Sequence, residues 1–244
     1  MNTKAKTYIS LVSASGITAM AYAFLYLQRP HDPLQFCTYL LLSVLAATLK
    51  LQLPGLRETM SIGFVFVLLG ISELTLPETM LLACAGAAVQ CLWRPKHRTA
   101  PVQVLFSVSA VAISLTLAYG CSHFVRTQLH AGSVSVVLAV ATCIYFIANS
   151  LLVSGVLSLV RCEPLRVMWQ QCYLLAFPYY LLGGAVAGLM AASGRESGWM
   201  PALLILPVIG LAFLFYRFYL AWLAMAPAAA ASATTPLTVE TRGT

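Results

Sequence analysis

The chain consists of long apolar runs separated by short polar segments, and its charged residues lie mostly in those segments. The runs at residues 8–27, 102–125 and 133–160 each reach the roughly 20 residues that a helix needs to cross the hydrocarbon core of a bilayer. Only 9% of the 244 residues are charged, against about 25% in a typical soluble domain. The sequence therefore predicts an all-α fold, a polytopic membrane helix bundle of about eight transmembrane helices.

Prolines, glycines and charges between the runs set the predicted helix ends, because proline cannot sit inside a helix without breaking its hydrogen bonds. Residues 161–171 are predicted to form a loop, and Pro178 is predicted to kink the seventh helix. The bundle occupies residues 1–225, and residues 226–244 form a disordered cytoplasmic tail that lacks apolar periodicity. The eight predicted helices cover residues 8–27, 34–49, 61–72, 79–93, 102–125, 133–160, 173–193 and 199–222.

The third and fourth predicted helices are short. At about 1.5 Å per residue they span roughly 18 and 22 Å, less than the roughly 30 Å of the hydrocarbon core. Either they borrow residues from the hinge at 73–78, or they sit in a sheath of longer helices.

Lysines and arginines predict the orientation, because cytoplasmic loops carry an excess of them. With the N-terminus inside, eleven of the fourteen lie on the inner side and three, Arg29, Arg126 and Arg195, lie outside. The sequence thus predicts a multi-pass protein of the bacterial cytoplasmic (inner) membrane with both termini cytoplasmic, and the lipid bilayer as its first partner.

Motifs for catalysis and for cofactors are not found in the sequence. The histidines show no metal-binding spacing, the seven cysteines form no Cys-x-x-Cys pair, and no phosphate-binding glycine loop is present. The net charge of +7 is spread over loops between apolar runs and does not indicate a nucleic-acid partner. We therefore expect a protein that is not an enzyme and has no cofactor and no metal.

Polar side chains at membrane depth are the first candidate binding residues. Asn149 lies in the middle of the sixth predicted helix, and Gln90 lies in the fourth, about one turn from its inner end. A polar amide in hydrocarbon needs a partner, so each is expected to face the bundle interior. Each either makes an interhelical hydrogen bond or contacts a ligand.

Glu73 and Glu78 flank the outer hinge, and each either caps a helix or gates an outward-facing pocket. Tyr179 and Tyr180 either line that pocket or pack in the core. If a pocket exists, we expect it to open towards the outer side between the third, fourth, sixth and seventh predicted helices. Short or proline-interrupted segments are where irregular backbone is tolerated beside a cavity.

Six segments of the chain are distinctive: KLQLPG at 50–55, TMSIGFVF at 59–66, ELTLPE at 73–78, VQCLW at 89–93, PVQVLF at 101–106 and YRFY at 216–219. They resemble the N-terminal membrane region of acidobacterial-type HD-GYP phosphodiesterases and related cyclic-di-GMP signalling proteins. The similarity covers about residues 8–222, and it implies a sensory membrane region. After Trp222 the chain carries neither a His-Asp pair nor a Gly-Tyr-Pro motif, so the resemblance does not imply hydrolysis of cyclic-di-GMP.

A second similarity is to the substrate-binding components of vitamin transporters, in which a short Gly- and Phe-containing helix precedes a turn and a small-residue helix, as at 63–70 and 83–88. The sequence thus favours a sensory, ligand-binding or scaffold module. Its ligand would be a small apolar molecule or a lipid, or it would bind a partner membrane protein. The alternative is a small-molecule transport component.

Overall fold

The computed structural model describes residues 3–25, 32–48, 50–52, 59–93, 100–128, 133–172 and 176–203. Almost all of these residues are helical, which confirms the predicted helical bundle. The elements are α1 (Thr3–Leu25), α2 (Pro33–Thr48), β1 (Lys50–Gln52), β2 (Thr59–Ser61), α3 (Phe64–Glu73), α4 (Leu76–Leu92), α5 (Pro101–Gln128), α6 (Val134–Arg161), α7 (Leu165–Cys172), α8 (Phe177–Ser197) and α9 (Trp199–Ala202).

Three of the described helices, α1, α5 and α6, are long and apolar enough to cross a membrane. The apolar helices α2, α3 and α4 are shorter, and the predicted count of eight crossings is not confirmed. Large apolar side chains such as Leu11, Leu25, Leu182 and Leu189 are exposed on the outside of the bundle, where a bilayer would cover them.

Two differences from the predicted helix ends have local physical reasons. Residues 165–172 form α7 instead of a loop: Pro164 precedes its first turn, and Leu165, Met168 and Trp169 recur at helical spacing. Pro178 does not kink a helix, since it lies in the first turn of α8, where its missing N–H would have no partner in any case.

A two-stranded antiparallel ribbon follows α2, and the sequence did not predict it. Lys50 pairs with Ser61 and Gln52 with Thr59. The ribbon returns the chain to the bundle at Gly63, immediately before α3 begins.

The helix α3 lies at the centre of the bundle. Eight consecutive residues, from Phe64 to Ile71, are buried, and α3 contacts α2, α4, α5, α6 and α8. A helix that is apolar all round is stable only inside a larger structure. The structure therefore shows, for α3, a short helix within a sheath of longer ones.

Small residues allow several helices to approach closely. A Cβ added at Gly16 on α1 would overlap the backbone and Cβ of Ser109 on α5. On α8, Gly183 lies against the Phe64 ring and Gly184 against Thr142, whereas a Cβ at Gly188 would make an ordinary contact of 3.7 Å with Leu138. These contacts place α6 antiparallel to α8. The helix α3 runs parallel to α8, since Phe64 lies at Gly183 and Glu73 lies near Gly194.

The last predicted helix and the tail lie mostly outside the described residues. The structure shows only α9 of the helix predicted at 199–222. The basic cluster at 94–98, Arg217 and the tail at 226–244 are not among the described residues.

Candidate functional site

One carboxylate, that of Glu73, joins α3 to α2. Glu73 Oε2 accepts a hydrogen bond of 2.6 Å from the Tyr39 hydroxyl and one of 2.8 Å from Gln35 Nε2. Gln35 Nε2 also lies 3.3 Å from the Tyr39 hydroxyl oxygen. Because Gln35 and Tyr39 are four residues apart, they share one face of α2. The two donors hold the carboxylate in a single orientation.

The first turn of α2 is itself fixed by Asp32. Asp32 Oδ1 accepts hydrogen bonds from the backbone N–H groups of Leu34 (3.0 Å) and Gln35 (3.2 Å), as a helix-capping aspartate does. Asp32 Oδ2 accepts a hydrogen bond of 3.1 Å from Trp199 Nε1. The Trp199 ring in turn packs edge-on against Tyr39, with centroids 6.3 Å apart. The start of α2 is thereby tied to the start of α9, which follows α8 directly.

A partly open cavity of about 200 Å³ lies where α2, α3, α6 and α8 meet. Its charged groups are Glu73 and Arg195, and Gly194 contributes no side chain beyond Cα. We call this the Glu73 cavity; it is lined by Gln35, Ser72, Glu73, Val134, Ala191, Gly194 and Arg195.

Burial raises the pKa of the Glu73 carboxyl above its ordinary value. Hydrogen bonds from Tyr39 and Gln35 and the nearby Arg195 guanidinium oppose that rise without cancelling it. Glu73 lies at the end of α3 and outside the three candidate spans. Burial is therefore the largest influence on this carboxyl, and a further positive charge placed in the cavity would favour its ionised form.

The predicted residues Asn149, Tyr179 and Tyr180 gather at the opposite end of α3, around Phe64. The buried Tyr180 ring packs against Phe64 and Phe146, with centroids 4.6 and 5.1 Å apart. The half-buried Asn149 side chain interacts with the Tyr180 hydroxyl. Because the 10 residues of α3 span roughly 15 Å, this aromatic cluster is separate from the Glu73 cavity. Tyr180 is thus packed in the core, and Asn149 on α6 lies beside it.

The remaining predicted residues lie elsewhere. Glu78 is 4% exposed, and its Oε2 accepts hydrogen bonds from the Thr75 backbone N–H (2.8 Å) and hydroxyl (2.6 Å) at the start of α4. Gln90 is half-buried in the last turns of α4. The Tyr179 hydroxyl is buried with no hydrogen-bond partner among the described residues. Of the six predicted residues, only Glu73 lines the cavity.

Sequence reasoning missed Gln35, Tyr39 and Arg195. The available signal was the pair Gln35 and Tyr39, two polar groups at helical spacing on one face of an otherwise apolar run. Arg195 was counted only for orientation. The cavity adjoins the second predicted helix and not the fourth, because α4 is turned away from Glu73 by the break at Leu74 and Thr75.

Within the described part of the chain, no group of three or more His, Cys, Asp or Glu side chains could hold a metal ion. Comparison with family models, with curated proteins and with solved structures gives no match. The function is therefore argued from the geometry of the chain itself.

Proposed function

We propose that this protein is a non-enzymatic membrane module that binds a small ligand in the Glu73 cavity and acts as a sensory input. The single observation that carries the proposal is the cavity itself, which opens beside the central helix and is lined by two opposite charges. Concave sites with a few placed polar groups are where proteins bind small molecules. The resemblance to signalling membrane regions supports the sensory part.

The central helix offers a path from the cavity to the rest of the bundle. Glu73 lies at one end of α3, and Phe64, at the other end, packs against Tyr179 and Tyr180 on α8. Since α3 is buried and closely packed, a shift at Glu73 moves the aromatic cluster as well. Ligand binding would in this way shift helices that a partner membrane protein would contact.

A pair of substitutions on α8 tests the binding site. Gly194→Leu projects a side chain into the cavity, whereas Ala192→Leu changes an exposed neighbour that does not line it. We expect native mass spectrometry of the purified wild type and of Ala192→Leu to show the same bound small molecule, and Gly194→Leu to lack it. A small molecule retained at full occupancy by Gly194→Leu would refute binding in this cavity.

A transport component is the second candidate function, and one observation favours it. The helix α3 begins inside the bundle, as the contact of Phe64 with Tyr180 shows, and the extended residues Leu74 and Thr75 separate it from α4. Discontinuous helices of this kind form substrate sites in transporters. Uptake of the bound molecule into proteoliposomes that contain a partner ATPase would indicate transport; binding without uptake would indicate sensing.

The proposal includes eight crossings in a bacterial cytoplasmic membrane with both termini inside. It is supported by the eleven-to-three distribution of lysine and arginine. In a cysteine-free variant, a cysteine replacing Arg126 should react with a membrane-impermeant thiol reagent added outside, and one replacing Arg161 should not. The reverse labelling pattern would mean that the orientation is opposite to the one proposed. Labelling of both cysteines would mean that the chain does not cross the membrane between residues 126 and 161.

A further inference from the structure

The two charges in the Glu73 cavity are not paired with each other. Glu73 Oε2 is fully engaged by Tyr39 and Gln35, but among the described residues Oε1 has no hydrogen-bond partner. A Cβ added at Gly194 would lie 3.5 Å from Oε1, so this oxygen faces α8 across the cavity. The exposed Arg195 guanidinium makes no hydrogen bond or ion pair with any described residue. Glu73 Oε1 and Arg195, which interact only through their charges, thus both keep hydrogen-bonding capacity at the same cavity.

The acceptor is held in place before any ligand arrives. Tyr39 is 1% exposed, so its hydroxyl cannot turn to solvent without unpacking α2. Glu73 itself lies at the end of a helix that is buried on every side. A preorganised group loses little conformational entropy on binding, which favours affinity for a ligand of few atoms.

The cavity is partly open, and its volume suits a small ligand. A pocket for a drug-sized molecule measures about 300–1,000 Å³, and this cavity measures about 200 Å³. At about 30 Å³ per water molecule in the liquid, it displaces on the order of six or seven waters. A molecule of about that many non-hydrogen atoms fills it.

We infer that the ligand of the Glu73 cavity is a small zwitterion of the amino-acid class, with its ammonium group at Glu73 Oε1 and its carboxylate at Arg195. This inference rests on the proposed binding function. A simple cation would be attracted by Glu73 but repelled by Arg195. A simple anion would be attracted by Arg195 but repelled by Glu73. A molecule that carries both charges satisfies both groups with charge-assisted hydrogen bonds.

Equilibrium binding of radiolabelled glycine, L-alanine and β-alanine to the full chain in lipid nanodiscs tests the inference, with methylamine and acetate as single-charge analogues. We expect at least one zwitterion to bind, and both analogues to bind at least tenfold more weakly. Glu73→Gln and Arg195→Gln should each weaken the zwitterion at least tenfold. Glu196→Gln, an exposed neighbour that does not line the cavity, should bind as the wild type does. Thermal melting and gel filtration verify that each variant is folded.

The outcomes distinguish an error in the ligand class from an error in the binding site. If no zwitterion binds, or if binding is unaffected by both Glu73→Gln and Arg195→Gln, the zwitterion inference is wrong. If another molecule then binds and is lost in Gly194→Leu but kept in Ala192→Leu, the cavity remains the binding site with a ligand of a different class. If nothing sensitive to Gly194→Leu binds, the proposed function is wrong as well.

Discussion

The contact between Gly183 and Phe64 gives a sharp test of the packing around the central helix. An alanine at position 183 would place its methyl group onto Cζ and Cε2 of the Phe64 ring, with Val65 Cγ2 at 3.2 Å. Turning the ring aside would disturb its packing, because it lies against both Tyr179 and Tyr180 at centroid distances of 5.2 and 4.6 Å. Gly188→Ala is the matched control on the same helix, since its new Cβ meets only Leu138 Cδ1 at 3.7 Å.

The expected magnitude follows from two opposing effects. Overpacking a well-packed core by one methyl group costs about 1–3 kcal/mol. Replacing glycine by alanine in a helix gains up to about 1 kcal/mol at either position. The difference between the two variants removes this shared gain. Gly183→Ala should therefore be less stable than Gly188→Ala by about 1–3 kcal/mol.

Reversible unfolding in mixed micelles with increasing denaturing detergent measures this difference. Phe64→Leu, which shortens the opposing ring, should recover part of the loss when it is combined with Gly183→Ala, and the double-mutant cycle gives the coupling energy. Equal stability of the two alanine variants, or strict additivity of Gly183→Ala and Phe64→Leu, would refute the packing described for α3 and α8.

Three further predictions concern other contacts. Gly16→Ala should force α1 away from α5, because the obstructing Ser109 atoms include backbone that cannot rotate aside. The control is Gly120→Ala, in which nothing lies within 4 Å of the new Cβ. Proteolysis of α1 should be faster in Gly16→Ala than in the control, and equal rates would contradict the prediction. Glu78→Ala should lower the free energy of unfolding by about 1–2 kcal/mol, since the Thr75 N–H and hydroxyl lose their acceptor. Glu196→Ala is the control, and equal melting temperatures of the two variants would count against the cap. Burial raises the pKa of Glu73, so its contribution to stability is present below the ordinary glutamate pKa and is lost as the pH rises through the raised value. In ligand-free protein the melting temperature of the wild type should therefore fall relative to that of Glu73→Gln as the pH rises from the ordinary glutamate pKa through the raised pKa of Glu73. Melting temperatures of the two proteins that change in parallel with pH would refute this.

Much of the helical architecture could be predicted from the sequence, whereas most of the candidate site could not. Apolar run length and proline positions predicted α1, α5 and α6 to within a few residues at most ends, because those signals are local. A helix cap was one of two roles considered for Glu78, and in the structure Glu78 accepts hydrogen bonds from Thr75, three residues away, at the start of α4. By contrast, the bonds from Gln35 and Tyr39 to Glu73 join residues 38 and 34 positions apart. No periodicity reports which faces of two apolar helices meet, so this network could only be seen in the folded bundle.

The burial of α3 also has a consequence for how the chain is made. Its partners on α8, from Tyr179 to Gly183, are synthesised about 120 residues after Phe64. At 5–20 residues per second this delay lasts roughly 6–24 s. During that time α3 has only α2, α4 and later α5 and α6 to cover it, and one side of the Phe64 ring faces lipid or the insertion machinery. Packing around α3 is therefore completed only after α8 has been synthesised. Until then α3, which is made in the first third of synthesis, lacks its partners on one side.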